Sequence, residues 1–468
     1  MTPRFGHPSV KLPTRPVLRF ERGTLVLSAF RGEPGEPFTF DDRTGTWRCH
    51  AMHYPRVERA LRGRIRDALP APAVVRWPSV VLPELRPDQR DALAAWDKAG
   101  RRGQIIMPTG TGKTVVALAA MQRCAVSTLV VAPIRDLMYQ WHRRIASGLG
   151  LDAGILGDGR RDVRAVTVTT YDSAYIHMER IGDRFGLVIF DEEHHLPAPG
   201  LQQGAQFCTA LWRLGLTATP ERYDGAHTLL DELIGPVAYR QEIPEARGET
   251  LAQYETVRIP VSLQEEEQRR YDELSQRIRA FLAERRKTAP GYKWEDACRD
   301  CGRDPQARQA VRAFHGKAAI ETRAAEKLRV LEDLFKLHAA ERVLVFTGSN
   351  RMALDVSRRF LIPMIIDKTG KNERRAVLDA FHEGRLKALV ANQVLDEGID
   401  VPAAKVAVVI GGFSSPRQAQ QRLGRILRRS GNITAVLYEV VCQETREEAR
   451  SRTRRRTEAY KGTRRMKF

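Results

Sequence analysis

This chain has little with which to staple itself together. Six cysteines are scattered over 468 residues, which is no disulfide framework. The one tight pair, Cys298 and Cys301 in "CRDC", is followed by no second pair and only by His315. A zinc knuckle is therefore half present at most, and a metal there stays open. No uncharged apolar run reaches the roughly 20 residues that span a bilayer, and the opening "MTPRFGHPSVKL" has no apolar signal core. These absences argue against a secreted or membrane-spanning protein, and the chain is expected to be cytoplasmic with no membrane partner. Solenoid-period repeats are missing as well. Carboxylates are also in short supply: 57 Asp and Glu face 77 Lys and Arg, a net charge of +20. Such a balance draws a protein to polyanions. An arginine-rich genome is the plain alternative.

A chain of this length exceeds one core, so two or three domains are expected. Residues 1–78 read as a small β-rich domain, with strands in "PVLRFERGTLVLSA" and "EPFTFDDRTGTWRCHAMHY" and a hairpin turn at Asp42–Gly45. "PRVERALRGRIRDAL" has the spacing of an amphipathic helix. From 79 to 242, the apolar strands "GQIIM", "STLVVA", "AVTVTT", "GLVIF" and "RLGLTA" alternate with helical segments. That is the pattern of a parallel sheet covered by helices. Residues 243–338 read as a charged, helical connecting segment, and 339–445 return to the alternation as a second α/β domain. Residues 446–468 form a basic tail. Its stretch from 450 holds nine Lys or Arg and one acid, Glu458, as a solvated end or as extra phosphate contacts.

"QIIMPTGTGKTVVALAAMQ" sets Thr109, Gly110, Thr111, Gly112, Lys113 and Thr114 between a strand and a helix. Glycines there let backbone N–H groups face phosphate oxygens, and the new helix adds its positive end. Lys113 supplies a charge to the β- and γ-phosphates and Thr114 a hydroxyl to Mg²⁺. Met107 stands where the full motif has its first glycine.

"GLVIFDEEHH" then acquires a meaning. An ATPase needs one carboxylate at the end of a neighbouring strand for Mg²⁺ and a second to orient the attacking water; Asp191 suits the first role and Glu192 the second. Zinc on His194 and His195 is the rival, although adjacent side chains do not easily share one ion. "QAQQRLGRILRRS" places Arg422, Arg425 and Arg428 on one helix face. With one P-loop and two α/β domains, these arginines are expected to reach the γ-phosphate of ATP held between the domains.

The ordered set "LRPDQRDAL", "MPTGTGKT", "DEEHH", "GLTATPERYDG", "VLVFTGS", "VLDEGIDVP" and "QQRLGRILRR" resembles superfamily 2 helicases. The run "FLIPMIIDKTGKNERRAVLDAFHEGRLKALVANQVLDEGIDVPAAKV" looks like XPB-type DNA helicases of the short archaeal style. The resemblance spans about residues 18–460. It implies two RecA-like motor domains, a damage-recognition-like domain near the start and a helical thumb over about 263–315. It gives Arg86 and Gln89 to adenine; an ordinary helix-start position is the plain alternative for Gln89. His194, Thr217 and Thr219 are assigned to coupling between ATP state and domain closure; a helix cap is the plain alternative for the two threonines. The resemblance also gives Gly398 and Asp400 to the nucleotide from the second domain, and Gln421, Arg425 and Arg428 to the arginine-finger motif. The family's Arg-Glu-Asp melting element is replaced by Arg222, Tyr223 and Asp224, so its central acid is lost.

The resulting expectation is an ATP- and Mg²⁺-dependent DNA helicase or translocase of 3′-to-5′ polarity. It would act in DNA repair on single-stranded or junction DNA, as a monomer when free, associated with the nucleoid. An endonuclease is a candidate partner. The competing readings are the motor subunit of a restriction or anti-phage system, an RNA helicase, and a DNA-binding remodeller that ATP switches with little unwinding.

Overall fold

The computed structural model describes residues 15–219, 224–242, 254–392, 404–411, 435–454 and 463–466. Two compact units divide the chain: one runs to Gln241 apart from Thr109–Thr111, and the other holds that short stretch and everything from Glu242.

The first unit opens with a five-stranded sheet in the order Thr39–Asp41, Thr46–His50, Thr24–Ser28, Val17–Glu21, Arg66–Asp67. Asp41 and Thr46 face each other across the expected hairpin, and the Asp41 carbonyl accepts from the Thr44 and Gly45 amides at 3.1 and 2.9 Å. Gly45 has φ +61°, which costs glycine no Cβ clash. Leu18, Leu25 and Leu27 are fully buried against Val57 and Leu61 of the helix Tyr54–Leu61. That helix is shorter than the amphipathic spacing suggested: the chain turns at Gly63 (φ +77°), and Arg66–Asp67 becomes a strand beside Val17–Leu18. This small domain docks within the unit. Met52 enters the same apolar cluster as Leu129 and Phe190. The Phe207 ring lies over Gly23, where an added Cβ would come within 2.3 Å of it.

The main sheet of this unit has eight strands in the order Val237–Arg240, Arg102–Ile106, Trp212–Thr217, Leu187–Asp191, Thr128–Ala132, Val166–Thr170, Gly154–Gly157, Arg160–Arg161. All neighbours are parallel except the last pair. Thr128–Ala132 and Leu187–Asp191 are buried along their whole length, as strands covered by helices on both faces must be. Their apolar runs come from that double covering. Three strand ends carry the motifs side by side: Ile106 pairs with Thr217, and Leu216 with Asp191.

The second unit has a seven-stranded parallel sheet in the order Met364–Ile365, Ala388–Ala391, Val343–Thr347, Val406–Ile410, Ala435–Cys442, Tyr254–Val261, Arg464–Arg465. Two sequence expectations change here. The stretch read as a connecting segment contains Tyr254–Val261, a strand inside this sheet, so the second α/β unit begins well before residue 339. Its helices Glu265–Thr288, Trp294–Asp300 and Pro305–Arg323 lie in the region read as a thumb, and the last continues past 315. The basic tail is also partly folded. Arg446–Arg454 is a helix, and Arg464–Arg465 pairs with Val257–Arg258. Buried polar pairs fasten that helix: Lys327 Nζ donates to Glu447 at 2.7 and 2.9 Å, and Ser451 to Glu439 at 2.6 Å. Local charge density reads the same in a solvated run as in a run whose acids meet partners far along the chain.

Candidate active site

The phosphate loop follows the strand Arg102–Ile106 and leads into the helix Lys113–Cys124. Gly110 and Gly112 hold φ +91° and +80°, the left-handed region that a Cβ disfavours. Gly112 is also sterically required: a Cβ there would come within 2.5 Å of Gln89 Nε2. Lys113 Nζ donates to the Met107 and Pro108 carbonyls at 3.0 and 3.4 Å, which holds the ammonium against the loop. Thr114 is half-buried on the first helical turn. Thr109 Oγ1 is buried without a hydrogen-bond partner among the described residues. The missing glycine at Met107 is explained by packing. Met107 is fully buried in the core, and its amide donates to the Thr217 carbonyl at 3.0 Å, so this position extends the strand.

Arg86 and Gln89 begin the helix Pro87–Lys98. The Arg86 amide donates to Gln89 Oε1 at 3.1 Å, and the Arg86 guanidinium pairs with Asp88 at 3.2 Å. Gln89 is only 2% exposed. It is not an ordinary surface residue, because its amide lies against the P-loop glycine.

Asp191 ends its strand in a buried position. The indole Nε1 of Trp141 donates to Asp191 Oδ2 at 2.7 Å, and the Tyr171 hydroxyl donates to the Asp191 carbonyl at 3.0 Å. Burial, and after it the neighbouring Glu192 charge, pushes the Asp191 carboxyl up to about 6; the Trp141 hydrogen bond and the Lys113 charge pull the other way. Glu192 adopts φ +50°, which a non-glycine residue rarely does without cause. Its Oε2 is buried with no hydrogen bond among the described residues, 3.4 Å from His194 Nδ1. That same Nδ1 lies 3.0 Å from Thr217 Oγ1, which accepts from the Thr219 amide at 3.1 Å. Glu192, His194, Thr217 and Thr219 thus form a continuous polar chain from one strand end to the next. Asp224 accepts from the Ala226 amide at 3.1 Å.

The structure also places residues that no local sequence feature singles out. Trp141 lies on the helix Arg135–Leu149, fifty residues before the carboxylate it meets. Tyr171 opens another helix. Glu193 sits fully buried beside Gly215, with neither carboxyl oxygen hydrogen-bonded among the described residues, and burial raises its carboxyl well above the ordinary range. None of the three carries a local signal; an acid in "DEEH" reads as exposed until its neighbours are known.

The matches to known proteins follow this layout. The family described as Xeroderma pigmentosum group B helicase damage recognition domain matches residues 18–65. The Type III restriction enzyme, res subunit, family matches 82–222, and the ERCC3/RAD25/XPB C-terminal helicase family matches 311–462. The DNA 3'-5' translocase XPB2 of Sulfurisphaera tokodaii is 38% identical over 451 residues, 94% of this chain and 99% of that protein. The chain belongs to the XPB family of helicases.

The DNA 3'-5' helicase XPB of Kineococcus radiotolerans is 31% identical to this XPB-family chain, over 81% of it and 63% of that protein. The chain therefore spans less than two thirds of this longer relative. Among solved structures, the Pyrococcus furiosus Hef helicase domain aligns with a TM-score of 0.55 at 17% identity, covering 78% of this chain and 98% of that one. Dbp5 of S. cerevisiae, bound to RNA and ADP BeF3, aligns with a TM-score of 0.55 at 16% identity, over 81% and 89%. At those identities the likeness is one of fold, and it agrees with two RecA-like parallel-sheet domains.

Within this XPB-family chain, Gly398, Asp400, Gln421, Arg422, Arg425, Arg428, Arg222 and Tyr223 lie outside the described residues. Among the described residues, no group of three or more His, Cys, Asp or Glu side chains could hold a metal ion, and no helix is long and apolar enough to cross a membrane. The zinc alternatives at His194/His195 and at Cys298/Cys301 thus gain no third ligand there. Mg²⁺ fits the P-loop side better, because it takes oxygen donors and needs few from the protein. The Asp191 carboxyl and the Thr114 hydroxyl are of that kind.

Proposed function

We propose that this chain is an ATP-driven DNA motor, a 3′-to-5′ helicase or translocase acting in DNA repair. The observation that carries the reading is the meeting of three motifs at adjacent ends of parallel strands: Met107 bonded to Thr217, Thr217 to His194, and His194 close to Glu192. Open α/β sheets bind ligands at the carboxyl ends of their strands. The relatives named as DNA 3'-5' translocase and helicase supply the substrate.

In this reading the P-loop amides and Lys113 hold the β- and γ-phosphates, and Arg86 with Gln89 reads adenine. Asp191 and Thr114 hold Mg²⁺, which supplies charge neutralisation at the phosphates when bound. Glu192 orients the attacking water and takes its proton as the γ-phosphoryl group leaves ADP. A change at Glu192 reaches Thr217 and Thr219 through His194, which makes that chain the coupling device. Gly398, Asp400, Gln421, Arg425 and Arg428 complete the site in the proposal, the last two stabilising charge on the transferring phosphate. Each ATP cycle shifts the motor along one phosphate backbone, which carries no sequence information. Arg222, Tyr223 and Asp224 stand where a melting element is expected, with Tyr223 in place of an acid. An endonuclease partner, a monomeric free state and a nucleoid-associated location belong to the same proposal.

The match to the restriction res subunit over 82–222 favours a second reading, the motor of a restriction or anti-phage system. The 38% identity over nearly the whole of an XPB2 protein outweighs it. The test compares ATP hydrolysis with single-stranded DNA, duplex DNA and RNA, followed by strand displacement on 3′- and 5′-tailed duplexes. DNA-stimulated hydrolysis with displacement from the 3′ tail is the expected result. Stimulation by RNA alone, or displacement only from the 5′ tail, overturns the reading.

A further inference from the structure

Two tryptophans are buried in the core of the first unit, and their indole N–H groups are used differently. Trp96 is fully buried and donates to a backbone carbonyl, that of Arg213, at 2.9 Å. Trp141 is 2% exposed and donates to the Asp191 carboxylate at 2.7 Å. A buried indole needs one acceptor, and a carbonyl suffices, as Trp96 shows. A carboxylate acceptor instead gives a charge-assisted bond, shorter and stronger than a neutral one. It also fixes one oxygen of the group that the proposed function assigns to Mg²⁺. The Tyr171 hydroxyl holds the Asp191 backbone at 3.0 Å, so side chain and main chain of one residue are each tied to a different helix.

We propose that Trp141 is a positioning residue for the Mg²⁺-nucleotide: its indole N–H holds Oδ2 of Asp191 and presets the carboxylate for the cation. The inference rests on the assignment of Asp191 to Mg²⁺. Carboxylates that bind metal are themselves hydrogen-bonded, and loss of such a partner typically costs about 10–100-fold in metal affinity. Trp141→Phe keeps most of the ring volume and removes the N–H. Trp96→Phe makes the same deletion in the same core without touching the carboxylate.

The experiment titrates Mg²⁺ against the full chain and reads the binding of a fluorescent, non-hydrolysable ATP analogue, with binding in EDTA as the baseline. Trp141→Phe should need roughly 10–100-fold more Mg²⁺ for the metal-dependent gain in binding. Its EDTA baseline should match that of the natural chain, and excess Mg²⁺ should restore it. Trp96→Phe should leave the Mg²⁺ midpoint in place. Equal midpoints for the two phenylalanine variants overturn the inference. Asp191→Asn separates this from the underlying reading: an unchanged Mg²⁺ dependence there removes Asp191 as the ligand, whereas a shifted dependence with a normal Trp141→Phe removes only the role of Trp141.

A second measurement needs no tryptophan variant. The chain has six tryptophans. In a ¹⁵N-tryptophan sample, one indole N–H signal should move when Mg²⁺ joins the nucleotide analogue, and the same signal should move in Asp191→Asn. If no indole signal responds to both, the inference fails.

Discussion

His194 Nδ1 lies 3.0 Å from Thr217 Oγ1, joining the acidic motif to the neighbouring strand end inside the protein. Both residues are fully buried. The pair therefore cannot exchange its partner for bulk water, and in the proposed function it carries a movement at Glu192 to Thr219. Thr217→Val keeps the shape and deletes the oxygen. Leaving a buried polar group unpaired costs about 1–3 kcal/mol. The expected outcome is near-normal ATP binding with a lower ratio of DNA-stimulated to basal hydrolysis and less unwinding per ATP. Unchanged unwinding per ATP would show that coupling runs elsewhere.

Glu192→Gln removes the proposed base and leaves Asp191, Lys113 and the glycines in place. ATP should still bind, and hydrolysis should fall by about 10²–10⁴-fold. Filter binding of labelled ATP beside single-turnover hydrolysis measures both; turnover near that of the natural chain refutes the role.

Glu193 makes a pH prediction. Its carboxyl is raised well above 4.5, first by burial and then by the charges of Glu192 and Asp231. The folded state thus binds this proton more tightly than the unfolded chain does. Stability from this group is fully present below pH 4.5 and is lost as pH climbs toward the raised value. Glu193→Gln should flatten that decline, so that its melting temperature falls less than the natural chain's between acid and alkaline pH. Parallel curves for the two proteins would show that Glu193 titrates normally.

Lys327 and Glu447 form an ion pair with 0% and 1% side-chain exposure. Glu447 also accepts the Cys442 amide at 2.9 Å, so its carboxylate cannot turn away without a further loss. Lys327→Met should destabilise the second unit by about 3–5 kcal/mol, because it strands a buried charge. The double change with Glu447→Gln should recover part of this loss. Urea unfolding of both variants checks it, and a double variant no better than the single would mean that packing, not charge, sets the cost.

Some of this molecule was legible from short stretches of chain. The P-loop could be read because its chemistry is local: two glycines, a lysine and a threonine act through consecutive backbone groups at a strand-to-helix turn. The strand Leu187–Asp191 could be read because a strand buried on both faces must be apolar throughout. The hairpin at Asp41–Thr46 likewise follows from its turn residues. Asp191 and Glu192 became interpretable once those two elements were known, since a phosphate loop calls for acids on a neighbouring strand end.

The rest depended on residues distant in sequence. Tyr254–Val261 reads as connecting chain because it precedes charged helices, and only its register with Ala435–Cys442 places it in a sheet. The tail reads equally as a solvated end or as extra phosphate contacts, because arginines beside glutamates look alike whether paired or free, until Lys327 is seen to meet Glu447 from 120 residues away. Trp141 reads as one apolar position on an amphipathic helix, and nothing nearby reveals that its N–H ends on Asp191. The sequence by itself determined what depends on backbone conformation and hydrophobic period, because both are set by neighbours within a few residues. Tertiary structure alone decided which buried polar groups meet, because that pairing depends on how separate elements register and pack, and register leaves no mark in either partner's own segment.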